Sequence, residues 1–348
     1  MPTRLQALKF GLGIPKQANI STIATPATAF QTFRKLDMEV PTLQYNTETD
    51  KDEIGKGNEF IDQVFPTNFD VAGRMEKYGS AEFMLWSWAY ALGVVPAPVG
   101  GLYTINPIDP GTTLELPYFS MAVQLAEGGG EAVDEAYIGM AIEDVETTFK
   151  YGPSRASLHN TVSYVGSGLA VFPSGVTYPA ALAENYMYSS SMAISINGVD
   201  YVSSKTMLQG SIGWKNNLIL SMRYFPGSGM QTLSLAGAIP AAVGGRIMIG
   251  SRVPTLTFTA FLQHDSLEYT KLCAQTTGTA TITFTYGDAT HFITFTFHSV
   301  SFERVERTQE EGIVAVTVTC APKWDPTGTP ANGVLTVSGK CGLANIAQ

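Results

Sequence analysis

Residues 66–92, PTNFDVAGRMEKYGSAEFMLWSWAYAL, decide how this chain is read, because residues 254–274, PTLTFTAFLQHDSLEYTKLCA, say the same thing again. Each opens on Pro-Thr and runs as an alternating strand, a turn and a compact helix. Phe69, Val71, Gly73 and Met75 share one face of the first strand, as the two-residue period of a half-buried strand requires. Ser80 is placed to cap the first helix, with Glu82 in its first turn and Gly93 just past its end. That helix is apolar around most of its circumference (Phe83, Leu85, Trp86, Trp88, Ala89, Leu92), which predicts a sheet on one side and another subunit on the other. Asp265 or Ser266 caps the second helix, with Leu267, Leu272 and Cys273 as its inward positions.

Outward from the helices the match continues. Each is followed by a hairpin and then by a charged strand with its own partner, DVETTFKYGPSRASLHNTVSYVG (144–166) and SVSFERVERTQEEGIVAVTVTCAP (299–322). Val145 and Val162 are 17 positions apart, and Val300 and Val316 are 16 apart. So long a period means two fused copies of a small domain rather than a solenoid. TATITFTY (279–286) and HFITFTFHSVSF (291–302) flank Gly287-Asp288 and predict a β-hairpin. The predicted fold is mainly β: two tandem β-sandwich or open-barrel modules, each with one flanking helix, plus an extended arm and loops. The divisions are an N-terminal arm (1–29), a first module (30–166), a linker holding the start of the second module (167–200), the second module (201–322) and a tail (323–348), which includes a short strand at 334–339. NTETDKDEIGKGNEF (46–60) is a charged loop, and 93–116 and 225–246 are long excursions found in one copy only. The 225–246 segment is apolar and suits docking on a neighbour through Met230, Leu233, Leu235 and Ile239.

Composition narrows the function. The chain has 348 residues, enough for two domains with a core apiece, and 45% of them are hydrophobic. Only 15% are charged, against ~25% in an average soluble domain, which suits a surface committed to neighbours. A formal net charge of −9 argues against binding nucleic acid by neutralising phosphates, but not against letting it slide past. No stretch has the length of a membrane span, and the N-terminus lacks the apolar core of a secretory signal. The cysteines, Cys273, Cys320 and Cys341, lack metal-ligand spacing and read as buried free thiols. The histidines (His159, His264, His291, His298) are dispersed, and no nucleotide, metal or serine-nucleophile motif is present, so no enzyme, cofactor or metal is expected. Trp86, Trp88 and Tyr90 sit on a helix, where packing explains them better than sugar stacking. The acidic sets around Glu146 and around Glu303 and Glu306 fall beside turns in both copies, as solvated strand faces or as an acidic ring rather than a catalytic pair.

The order of these signals resembles tail tube proteins of long-tailed bacteriophages. The resemblance rests on the arm GIPKQANISTIATPATAF, the charged loop, the strand and capped helix ending ALG, the late IEDVETTF strand and the closing FHSVSFERVERTQEEGIVAVTVTCAP hairpin, and it covers about residues 10–340. It implies a structural virion protein whose rings, trimers with pseudo-sixfold symmetry, stack into the conduit for DNA ejection. Implied partners are the chain itself, tail terminator, tape-measure and baseplate or tip proteins, with double-stranded DNA passing without sticking and no membrane contact. The place is the phage tail, with the host cytoplasm during assembly. Glu146, Glu303 and Glu306 are then the candidate lumen carboxylates and 225–246 the inter-ring contact. The competing expectations are a carbohydrate- or receptor-binding β-sandwich and a hydrolase.

Overall fold

A computed structural model describes residues 64–109, 115–126, 132–151, 157–166, 168–172, 182–202, 206–220, 247–286, 288–310, 312–324 and 333–343, the segments 6–13, 30–31, 37–38, 41–49, 232–233 and 241–242, and residues 33 and 346. The protein is mainly β, with a large antiparallel sheet and, among the described residues, two α-helices, Ala81–Leu92 and Leu267–Ala274.

The same order of strand pairings occurs in both halves. In the first, Val64–Tyr78 pairs with Ser157–Gly166, which pairs with the later part of Ala132–Lys150. The earlier part of Ala132–Lys150 pairs instead with Phe119–Ala126 and Gly168–Phe172. Gln6–Gly13 extends that group beyond Phe119–Ala126, and Thr42–Thr49 lies on the far side of Val64–Tyr78. In the second half, Val253–Phe261 pairs with Ile313–Lys323, and that strand with the later part of Asp288–Glu310. The earlier part of Asp288–Glu310 pairs with Gly278–Tyr286, in the expected hairpin, and with Leu335–Lys340. Met192–Ile196 takes the place of 6–13, and Met207–Lys215 that of residues 37–38 and 42–44.

Two bulges make this possible. The register shifts between Ile142 and Asp144 and again between Phe302 and Arg304. An extra residue bends its strand, so each long strand leaves one set of neighbours and joins another. The bulges also correct the sequence alignment of the halves. Val145 does oppose Val162, but Val300 opposes Pro322 and Val316 opposes Arg307; the counterpart pair is Val305 with Val318. Glu303 therefore corresponds to Glu143, and Glu146 to Glu306, because spacing alone carries no mark of where a strand bends.

Strand 207–215 joins the halves by pairing with residues 144–150 on one side and 253–261 on the other. The result is one unbroken run ordered 42–49, 64–78, 157–166, 132–150, 207–215, 253–261, 313–323, 288–310. Several segments read as connections are sheet strands. Gln6–Gly13 lies in the supposed arm, Gly168–Phe172 and Met192–Ile196 in the supposed linker, and Tyr103–Ile105, in the 93–116 excursion, pairs with the tail strand 335–340. Asn46–Thr49 are strand rather than loop, and residues 50–63 lie outside the described residues.

The two expected cores are one. Every residue of the first helix is buried. Trp86 meets Phe119 edge-on at 5.1 Å, from its own half, while Trp88 meets Phe295 at 4.9 Å, from the other. Phe149 likewise meets Phe284 at 5.4 Å. A Cβ on Gly339 would come within 3.1 Å of Leu85, so strand 335–340 passes the helix closely because it has glycine there. The side of the helix expected to meet another subunit is thus covered by the chain itself. Its caps are as expected: Phe83 N–H donates to Ser80 Oγ at 3.3 Å, and Gly93 closes the helix at φ 88°. The second helix differs. The Leu267 amide donates to Asp265 Oδ1 at 3.3 Å, Ser266 makes no side-chain cap bond, and Cys273 is exposed rather than inward. An eight-residue helix with charged and polar neighbours has too little apolar surface to bury a thiol at its end.

Candidate functional site

The unbroken run presents a polar outer face opposite its apolar core face. Along 144–150, Val145, Thr147 and Phe149 are buried while Glu146 and Lys150 are exposed. Alternation continues across the neighbours, so Ser211, Thr257, Thr317 and Thr319 come to the same outer side. Ser211 and Thr257 hydroxyls lie 2.8 Å apart, and those of Thr259 and Thr317 3.1 Å apart. In each pair one hydroxyl donates and the other accepts, which leaves further donor and acceptor capacity facing outward. Where Gly213 lacks a side chain the face dips into a depression of about 210 Å³ between Asp144, Glu146, Lys215 and Thr255.

Charge on this face is mixed. Arg74 reaches Glu76 at 3.7 Å, His159 Nδ1 reaches the same carboxylate at 3.1 Å, and Arg304 pairs with Glu306 at 2.5 Å. Partial burial holds the Asp144 carboxyl above its usual range, against the pull of Lys215 and Arg74. Of the candidate lumen carboxylates, Glu146 and Glu306 occupy equivalent exposed positions opposite Thr161 and Thr317, whereas Glu303 is exposed at the bulge. Basic residues stand among them, so the acidic excess of the chain is not gathered here. Leu233 lies in a short strand opposite Ala241, and Met230, Leu235 and Ile239 lie outside the described residues.

Behind the face, buried polar groups tie distant segments to the first helix. Lys77 Nζ lies 3.0 Å from Glu184 Oε2 with both side chains fully buried, and it donates to Tyr186 Oη at 3.2 Å. Ser80 Oγ donates to the other Glu184 oxygen at 2.7 Å. Glu82 accepts from the Asn185 amide at 3.0 Å and the Gly342 amide at 3.1 Å, where a carboxylate also suits the positive end of the helix. Asn216 Nδ2 donates to Ala91 O at 2.8 Å and Ile142 O at 3.1 Å, serving the other end. Trp88 Nε1 donates to Thr147 Oγ1 at 3.0 Å, and Thr147 to Asn160 Oδ1 at 2.9 Å. The sequence alone does not single these residues out. One signal existed: Lys77 has the parity of buried Val71 and Met75, and an inward lysine demands a partner.

Burial pushes the Cys320 thiol up to about 12 and does the same for Cys341. Cys320 is buried as expected, and Cys341 is half-buried. Among the described residues no group of three His, Cys, Asp or Glu side chains is arranged to hold a metal, and no helix is long and apolar enough to cross a membrane. No family model and no curated protein matches the sequence.

Proposed function

We propose that the chain is a structural virion protein that assembles into stacked rings, three chains to a ring with pseudo-sixfold symmetry, forming the tail tube of a long-tailed bacteriophage. The observation that carries this reading is the unbroken run of strands, which repeats one order of pairings twice and, among the described residues, ends in an edge at either end. Edges of that kind invite pairing with another chain, and closing a ring removes them. The run's hydroxyl-rich face, with charges of both signs, suits a channel wall. It offers DNA phosphates no basic stripe and therefore little gain from counterion release. Residues 225–246 would make contacts between rings, and tail terminator, tape-measure and tip proteins would meet the tube's ends. A carbohydrate- or receptor-binding role is less well supported, because Trp86, Trp88 and Tyr90 are all fully buried and offer no stacking platform.

Negative-stain microscopy of the purified chain tests the reading. Tubes or stacked rings with a central channel are expected. Discrete particles at every concentration and salt would overturn it.

A further inference from the structure

The joint between the halves shows what the two open edges can accept. At the joint, strand 207–215 lies beside residues 144–150, with Gln209 opposite Lys150, Gly213 opposite Glu146, Trp214 opposite Val145 and Lys215 opposite Asp144. The matching edge of the second half is Arg304–Glu310, which carries the same bulge and, among the described residues, pairs only with 313–323. The counterparts of 207–215 in the first half are residues 37–38 and 42–44. Asp37 opposes Glu76 and Thr42 opposes Ala72, as Gln209 opposes Thr259 and Gly213 opposes Thr255. Among the described residues they pair only with 64–78. One molecule therefore carries both sides of a joint that it has already built once.

We propose that strand 304–310 of one chain receives residues 42–44 of a second copy, antiparallel, with Thr42 opposite Glu306, Leu43 opposite Val305 and Gln44 opposite Arg304, and with residues 37–38 further along the same edge. The register is the internal joint's, carried over by the bulges. The contact is heterologous, so it propagates until it closes. It sets Asp37 against Glu310 at the end of the ladder, a like-charge meeting that leaves the joint weaker at that end than at Gln44–Arg304. The proposal rests on the self-assembly reading in naming a second copy as the occupant; the strands and their register come from the fold.

Full-length chains lacking the exposed thiol (Cys273→Ser) are made as two single variants, Thr42→Cys and Glu306→Cys, then mixed and mildly oxidised. Directly opposed residues of an antiparallel pair lie within disulfide reach. A mixed disulfide dimer is expected at roughly tenfold the yield given by Leu43→Cys mixed with Glu306→Cys, since one residue of slip turns the thiol to the other face. Gln44→Cys with Arg304→Cys is a second in-register pair, in case one variant folds poorly. Equal yields in and out of register, or no dimer from either in-register pair, would overturn the proposal. The outcomes separate from the tube reading: tubes without the cross-link sink this register alone, and cross-linked dimers without tubes sink the tube alone.

Discussion

The two helices hold the same place in the same order of pairings, yet the first is buried along its whole length and the second has only Glu268 fully buried. The difference lies in the strands available to cover each of them. Strands 288–310 and 335–340 of the second half close over the first helix, and among the described residues no strand of the other half covers the second helix in the same way. Sequence has adapted to this. AEFMLWSWAYAL could not be left in water, whereas LEYTKLCA can be. Burial here follows from which strands of the other half lie over a helix, not from the helix's place in its own half.

The sharpest way to break that comparison is to empty the first helix's contact with the second half. Trp88→Ala should cost about 3–5 kcal/mol, as large aromatic truncations in cores do. Because Trp88 touches Phe295, both halves should lose stability together, in one denaturant transition seen alike by fluorescence and far-ultraviolet dichroism. Two transitions, only one of them shifted, would show separate cores. Lys77→Ala leaves Glu184 buried without its cation and should cost about 3 kcal/mol or a little more, with Lys77→Met plus Glu184→Gln recovering most of the loss. A cost near that of a surface salt bridge would mean that the pair does not hold 182–187 against the first helix.

On the second helix, Leu272→Ala should cost about 1 kcal/mol or less in the dissociated chain, because the side chain is only half-buried. A core-sized loss would contradict the asymmetry. The smallest effect is expected at Asp144. Its carboxyl is held above the unfolded value, so folding opposes its charge: the penalty is absent below the unfolded value and grows as pH rises through the folded one. Asp144→Asn should therefore raise the denaturation midpoint slightly at pH 7, and the gain should vanish below about pH 4. A constant gain at all pH would assign the effect to something other than titration.

Much of the fold is legible because it rests on local patterns. Ser80 and Gly93 bound the first helix through caps written in three or four letters, and Thr283 opposite Thr294 lies in a hairpin whose turn residues announce it. The hidden part depends on bends and on distant partners. The bulges at Glu143 and Glu303 leave no compositional trace, so spacing aligns Val145 with Val300, whereas the pairings align it with Val305. Segment 6–13 is rich enough in Gly and polar residues to read as an arm until Phe119–Ala126 supplies the pairing that makes it a strand. The Lys77–Glu184 pair spans more than a hundred residues, and only the parity of Lys77 hints at it. The polar face has a visible alternation, but its charge balance emerges only when Lys150, Lys215 and Arg304 are placed beside Glu146 and Glu306.

The most direct test of repeated halves closing through copies of one chain is native mass spectrometry of assembled rings, paired with image classes of the same sample. Three chains per ring with sixfold-like projections are expected, each chain supplying two of the six repeats. Six chains per ring, or a monomer that never associates, would contradict it.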